Sequence, residues 1–337
     1  MISIINLIPK MGIDMKKRFI KNTFIVIGII FLISTVIILS NTSKNYKLIF
    51  IPKISCNKND FWLNIATGAN MGADEYGSDL QIVYGNNETD IKGQNEKILW
   101  AIKQNPDIIL VSPCSYSENT ETLRKVKKAG IKLVLVDSVI DEEIADIIIT
   151  TNNIEAAKML GEYAKPMLKK DSIAVIMGHV ENSSTSIERE EGIRKGLEEK
   201  ENCIKEVFFC DSNNEKAYKI AIDIIKKYPE LDMIFGLNEE STEGITKAVA
   251  DSCLSDQISI LGFDNSKDEI QMMEQGLIDA LIIQKPYNMG YLAVKEGITA
   301  ISGKRFSDEL YSGFKLINRD NMYTQQNQKL LFPFVNK

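Results

Sequence analysis

From Tyr46 to Gln284 the sequence alternates two kinds of apolar pattern. Short β-branched runs fall at residues 47–52, 80–84, 108–111, 133–136 and 147–150, and again at 172–177, 206–210, 233–236, 258–262 and 280–284. They show little in/out alternation, which is the pattern of strands covered on both faces in a parallel sheet. Longer stretches with helical spacing lie between them, for example 62–77, 118–129, 153–169 and 215–228, with stops such as Gly77, Gly130 and Pro229. Two groups of five strands interleaved with helices predict an α/β protein with two doubly wound parallel-sheet lobes.

A different pattern precedes Tyr46. Between Lys21 and Lys44 lie 22 residues without a charge. As a helix they would measure roughly 33 Å, enough to cross a bilayer core. The run ends in Ser40-Asn41-Thr42, without the small-residue cleavage site of a signal peptide, and no cysteine follows at once to take a lipid. Residues 22–43 are therefore expected to be an uncleaved transmembrane anchor, with residues 1–21 as a basic cytoplasmic N-terminus and the body outside the cell. Met15-Lys-Lys-Arg is a normal start for such a segment.

Charge sharpens this picture. Residues 1–45 hold six Lys/Arg against one acid, a balance of +5, which leaves −11 for the rest of a chain whose total is −6. An acidic body repels phosphate backbones and argues against nucleic acid as a partner. The five cysteines (Cys56, Cys114, Cys203, Cys210, Cys253) show no CxxC spacing and read as buried, unpaired thiols. A single histidine, His179, excludes multi-histidine metal sites and disfavours a Ser–His triad. It follows an apolar strand and is expected at a strand end, in a loop or at a ligand rim. No metal and no cofactor are expected.

In open α/β sheets, ligands sit beyond the carboxyl ends of the strands. Those ends are polar here: Asn59, Ser112, Asp137 and Asn152 in the first group, then Asn182, Asp211, Asn238, Asp264 and Gln284 in the second. Each alone has an ordinary explanation as a helix cap or turn former. Planar Asn, Gln and Asp side chains can also grip vicinal hydroxyls with paired hydrogen bonds, and Phe61 and Trp62 can cover the apolar face of a sugar ring.

Several segments fall in an order that resembles the type 1 periplasmic sugar-binding proteins, in particular the ribose-binding group. They are Asn59-Asp60-Phe61-Trp62 with Gly68-Ala69, Ile109-Leu110-Val111-Ser112-Pro113, Val136-Asp137, Ser184-Thr185-Ser186, Arg189-Glu190-Glu191-Gly192, Gly236-Leu237-Asn238-Glu239, Leu261-Gly262-Phe263-Asp264 and Ile283-Gln284. The resemblance spans roughly residues 46–320. It implies sugar contacts at Asn59, Phe61, Trp62, Asp137, Asn238, Asp264 and Gln284. It also implies three crossings between lobes, near 151–153, 284–287 and 308–320. Lobe 1 is then expected to comprise 46–151 plus 285–312, and lobe 2 to comprise 152–284 plus 313–337, closing on the ligand by a hinge.

The ribose-type pattern carries two arginines where this chain has Ser138 and Ile187. Arg189 is accordingly expected to be structural, with Lys53 or Lys58 as replacement donors. With its anchor, the chain resembles membrane-bound xylose-sensing binding proteins that partner a histidine kinase. The implied function is non-enzymatic: closing on a monosaccharide, D-xylose among the candidates, and signalling to a membrane kinase. The alternative is the substrate-binding component of an ABC sugar importer, with a permease as partner. An enzyme is disfavoured because no phosphate-binding glycine loop follows the strands, although Asp137 and Asp264 could imitate a glycosidase pair. A sugar-responsive repressor would need a helix-turn-helix where the apolar run lies.

Overall fold

The computed structural model describes residues 21–28, 45–55, 59–303 and 308–332, in two compact units, 1–44 and 45–337. In the first unit residues 21–28 are helical. The rest of the predicted anchor lies outside the described residues, and so do Cys56 and Lys58. Among the described residues no helix is long and apolar enough to cross a membrane.

The described residues of the second unit contain twelve strands: β1 (Lys47–Ile51), β2 (Asp79–Ile82), β3 (Ile108–Val111), β4 (Lys132–Val136), β5 (Ile147–Thr150), β6 (Ile173–Gly178), β7 (Ile204–Phe209), β8 (Leu231–Gly236), β9 (Ser259–Phe263), β10 (Ala280–Gln284), β11 (Glu309–Tyr311) and β12 (Phe314–Asn318). They form two six-stranded sheets with the same path, β11-β5-β4-β3-β1-β2 and β12-β10-β9-β8-β6-β7. The strand order reverses beside β1 in one sheet and β6 in the other, which opens a crevice at those carboxyl ends. All pairings are parallel except β10 with β12.

Burial on both faces explains the unbroken apolar strands. β3 and β10 are buried at every position, and each sheet has two apolar clusters, one per face. The ten predicted strands all form, with ends shifted by at most two residues. The pattern missed β11 and β12. Both are edge strands with half-exposed side chains, so hydrophobicity does not mark them. The predicted helix 153–169 stops at Ala164: Pro166 has no N–H to continue the helical ladder, and a 3₁₀ turn, Lys165–Met167, follows.

The chain passes between sheets after β5, after β10 and between β11 and β12. These crossings are hydrogen-bonded neighbours: Ser312 N donates to Thr150 O at 2.9 Å, and Thr151 Oγ1 donates to Gln284 Oε1 at 2.8 Å.

Two helices of the first lobe pack almost backbone to backbone, α1 (Asp60–Glu75) and α9 (Pro286–Ile301). A Cβ on Gly68 would sit 1.9 Å from Tyr287 O, and one on Gly290 would sit 1.9 Å from Ile65 O. Gly68→Ala and Gly290→Ala are each expected to cost about 3 kcal/mol by overpacking. Thermal unfolding should show a clearly lowered Tm; an unchanged Tm would contradict this packing.

Candidate functional site

At the reversal points the two sheets face each other across a closed cleft. Asn59 follows β1 and caps α1: its Oδ1 accepts from Trp62 N at 3.0 Å. That leaves its Nδ2 free to reach the opposite lobe, where it donates to Glu240 Oε1 at 2.9 Å. Asn238 follows β8 and caps α7 (Glu239–Asp251) in the same way, its Oδ1 accepting from Ser241 N at 3.0 Å while Nδ2 donates to Glu240. Each asparagine thus caps a helix through Oδ1 and lines the cavity, with its Nδ2 directed to Glu240.

Asp137 and Asp264 hold equivalent places at the ends of β4 and β9. Both adopt left-handed backbone, with φ of 68° and 81°, at a cost of about 1–2 kcal/mol each. The neighbouring strand fixes each kink: Asp137 N donates to Ile149 O and Asp264 N to Ile282 O, both at 2.9 Å. Asp264 accepts from Gln284 Nε2 at 2.6 Å and from Glu239 N at 3.1 Å, and burial raises its pKa. Asp137 accepts from Ser138 Oγ at 2.7 Å and faces Lys53 Nζ at 3.5 Å. Lys53 is only 2% exposed; its ammonium lies 5.8 Å from the Trp62 ring centroid. Burial lowers its pKa, but Glu88 and Asp137 outweigh that and raise it overall.

The seven residues expected to contact ligand all line one cavity of about 30 Å³. Phe61 and Trp62 both face it, edge to face at 5.3 Å between centroids. Of the other polar strand ends, Ser112, Asn152, Asn182 and Asp211 do not line it. Asn152 caps a helix through Glu155 N at 3.1 Å, and Asp211 pairs with Lys216 at 2.5 Å.

Sequence reading passed over Glu88, Thr185 and Glu240 as ligand contacts, though all line the cavity. Glu88 lies in the polar loop after β2, which carries only a turn signal. Glu240 is adjacent to a duplicate, and only the structure separates it from Glu239, which burial pushes up to about 10. One expectation needs correction. Arg189 is anchored as a structural residue would be, by Asn153 Oδ1 at 3.0 Å, Leu237 O at 2.6 Å and the Phe263 ring at 4.3 Å, yet it also forms cavity wall. His179 lies directly after β6, as expected of a strand end, and is buried in the cavity wall: it meets Thr185 Oγ1 at 2.9 Å, and burial holds its pKa well below 6.5. Among the cysteines, Cys114, Cys203 and Cys210 are buried and free, whereas Cys253 is exposed.

The lobes are tied across the cleft. Ser212 Oγ donates to Glu88 Oε2 at 2.7 Å, Tyr116 N to Asn182 O at 2.7 Å and Val139 N to Ser184 Oγ at 2.9 Å. Glu88 also accepts from Trp62 Nε1 at 3.0 Å. A hydrogen-bonded path thus runs from Trp62 through Glu88, Ser212, Asn238 and Glu240 to Asn59.

Residues 50–305 match the periplasmic binding protein domain. The chain is 21% identical over 277 residues to the ribose import binding protein of Bacillus subtilis, covering 82% of this chain and 89% of that protein. It is 35% identical to a sugar transporter from Clostridium phytofermentans, with a TM-score of 0.78 over 81% of this chain and 99% of that one. It also shares the fold of a carbohydrate transporter solute binding protein from Agrobacterium radiobacter crystallised with D-arabinose, with a TM-score of 0.80 at 22% identity, covering 86% and 100%.

Burial pushes the Glu240 carboxyl up to about 8, so the folded protein holds its proton more tightly than the unfolded chain does. Such a group stabilises below its ordinary value of about 4.5, and that stability is lost as pH rises through 8. His179 acts oppositely, but only below about 6.5. The Tm is expected to fall by several degrees from pH 6.5 to 8.5, and by less in Glu240→Gln. A flat profile would contradict this burial of carboxyls.

Proposed function

The chain belongs to the periplasmic binding protein family, and we propose that it is an extracytoplasmic receptor that closes its two lobes on a monosaccharide. The observation that carries this reading is the cavity at the facing strand ends, where Asn59, Asp137, Asn238, Asp264 and Gln284 surround Phe61 and Trp62. Rings of hydroxyls need acceptors and donors of fixed geometry, and a sugar's C–H face needs an aromatic floor that excludes water. The names of the relatives support the same ligand class.

The mechanism follows from the volume. A cavity of about 30 Å³ has room for one or two waters and not for a sugar ring, so the lobes would part to admit sugar and close around it less tightly than here. The proposed hinge is the crossing at 151–153, 284–287 and 308–320, dividing 46–151 plus 285–312 from 152–284 plus 313–337. No residue is assigned a catalytic role: the carboxyls of Asp137 and Asp264 are engaged by Lys53 and Ser138, and by Gln284 and the Glu239 amide. They are read as hydroxyl acceptors.

The partner reads closure. The relatives' import and transporter names favour a permease of an ABC importer. The uncharged run 22–43 favours a second reading, a membrane anchor that holds the receptor beside a sensor histidine kinase by raising its effective concentration.

Thermal unfolding of the full-length chain against pentoses, hexoses and substituted hexoses tests the ligand class. A sugar at about a thousand times its Kd should add roughly 4 kcal/mol, a shift of several degrees. Asp264→Asn keeps a residue that tolerates left-handed backbone but removes the charge, and should weaken binding roughly 10- to 100-fold. No shift with any monosaccharide, from a folded protein, overturns the reading.

A further inference from the structure

The cavity is out of electrostatic balance. Its wall holds four carboxyl groups, from Glu88, Asp137, Glu240 and Asp264, but only two side chains that stay cationic, Lys53 and Arg189. The remaining titratable group, His179, is buried and held neutral. Lys53 lies against Asp137 at 3.5 Å, and Arg189 acts on Asp264. Glu88 shares the influence of Lys53 with Asp137. The hydrogen bonds of Glu88 and Glu240 come from neutral donors: Trp62 and Ser212 for one, Asn59 and Asn238 for the other.

Buried carboxylates without full compensation are costly, and a ligand that supplies the missing charge gains what the empty wall lacks. Resting on the sugar-receptor reading, we propose that the cleft selects a monosaccharide bearing an ammonium group, with the ammonium seated between Glu88 of the first lobe and Glu240 of the second. The stereochemistry suits it. An ionised carboxyl has about four acceptor positions, two are used at each glutamate, and an ammonium brings three donors. Phe61 and Trp62 supply the face for the ring, and Trp62 already tolerates one ammonium, that of Lys53, at 5.8 Å. The two glutamates belong to opposite lobes, so one ammonium bridging them would also hold the lobes together. A competing compensator is the proton, consistent with the Glu240 carboxyl being pushed up to about 8; a cleft balanced by a proton would hold neutral sugars equally well.

The test is calorimetric titration of the full-length chain at pH 7 with matched pairs: D-glucosamine and D-glucose, D-galactosamine and D-galactose, D-mannosamine and D-mannose. The amino member of at least one pair is expected to bind roughly 10- to 100-fold more tightly than its parent, the value of a charge-assisted hydrogen bond in a buried site. In Glu240→Gln that preference should fall by at least tenfold. Because the wild-type comparison needs no variant, a poorly folding Glu240→Gln does not spoil the test. Equal or tighter binding of the neutral parents, or binding confined to neutral sugars, overturns the ammonium proposal and leaves the sugar receptor intact. Binding of no sugar, amino or neutral, overturns both.

Discussion

A parallel strand covered by helices on both faces can present a functional side chain only beyond its end. That constraint organises this molecule. The strands are apolar throughout because both faces are buried, and the polar groups gather where the backbone leaves the sheet. Two sheets with the same path place two such collections opposite each other. The left-handed aspartates at the ends of β4 and β9 show how closely the halves correspond: the same backbone kink is held by the same type of hydrogen bond from the next strand.

Closing the lobes takes charged groups out of water, which is unfavourable unless they find partners. The structure meets this cost unevenly. Asp264 is satisfied by a glutamine and a helix amide, and Asp137 by a serine and a buried lysine. Glu88 shares the charge of Lys53 with Asp137, whereas Glu240 accepts two hydrogen bonds from neutral donors and has no cation against it. The closed arrangement is therefore well ordered while remaining responsive to protons and to cationic ligands.

The fold was legible in the sequence because doubly buried strands leave uninterrupted apolar runs and Gly or Pro marks the helix ends. What escaped were elements whose hydrophobicity is diluted at an edge, such as Glu309–Tyr311 and Phe314–Asn318. At the site, strand-end position brought forward residues that the structure does gather, and also Ser112, Asn152, Asn182 and Asp211, which it does not. Strand ends fix where a backbone goes, not where a side chain turns. Glu88 was illegible for the complementary reason: it reaches the cavity from a loop of ordinary turn composition. The departures from the ribose-type pattern at Ser138 and Ile187 directed attention to Lys53, which lines the cavity together with Arg189.

The placement of the crossings has a mechanical consequence. They lie together at the β11–β5 and β12–β10 edges, whereas Glu88 and Ser212 follow the strands at the far edges, β2 and β7. At about 4.8 Å between strands, the span from pivot to far rim is roughly 20 Å. A rotation of about 30° would then displace the rim by roughly 10 Å, while the pivot barely moves. With the proposed hinge the body would work as a lever: a few hydrogen bonds made around a small molecule would become a large travel at the rim, and a partner gripping the rim of both lobes would sense occupancy with the greatest mechanical advantage.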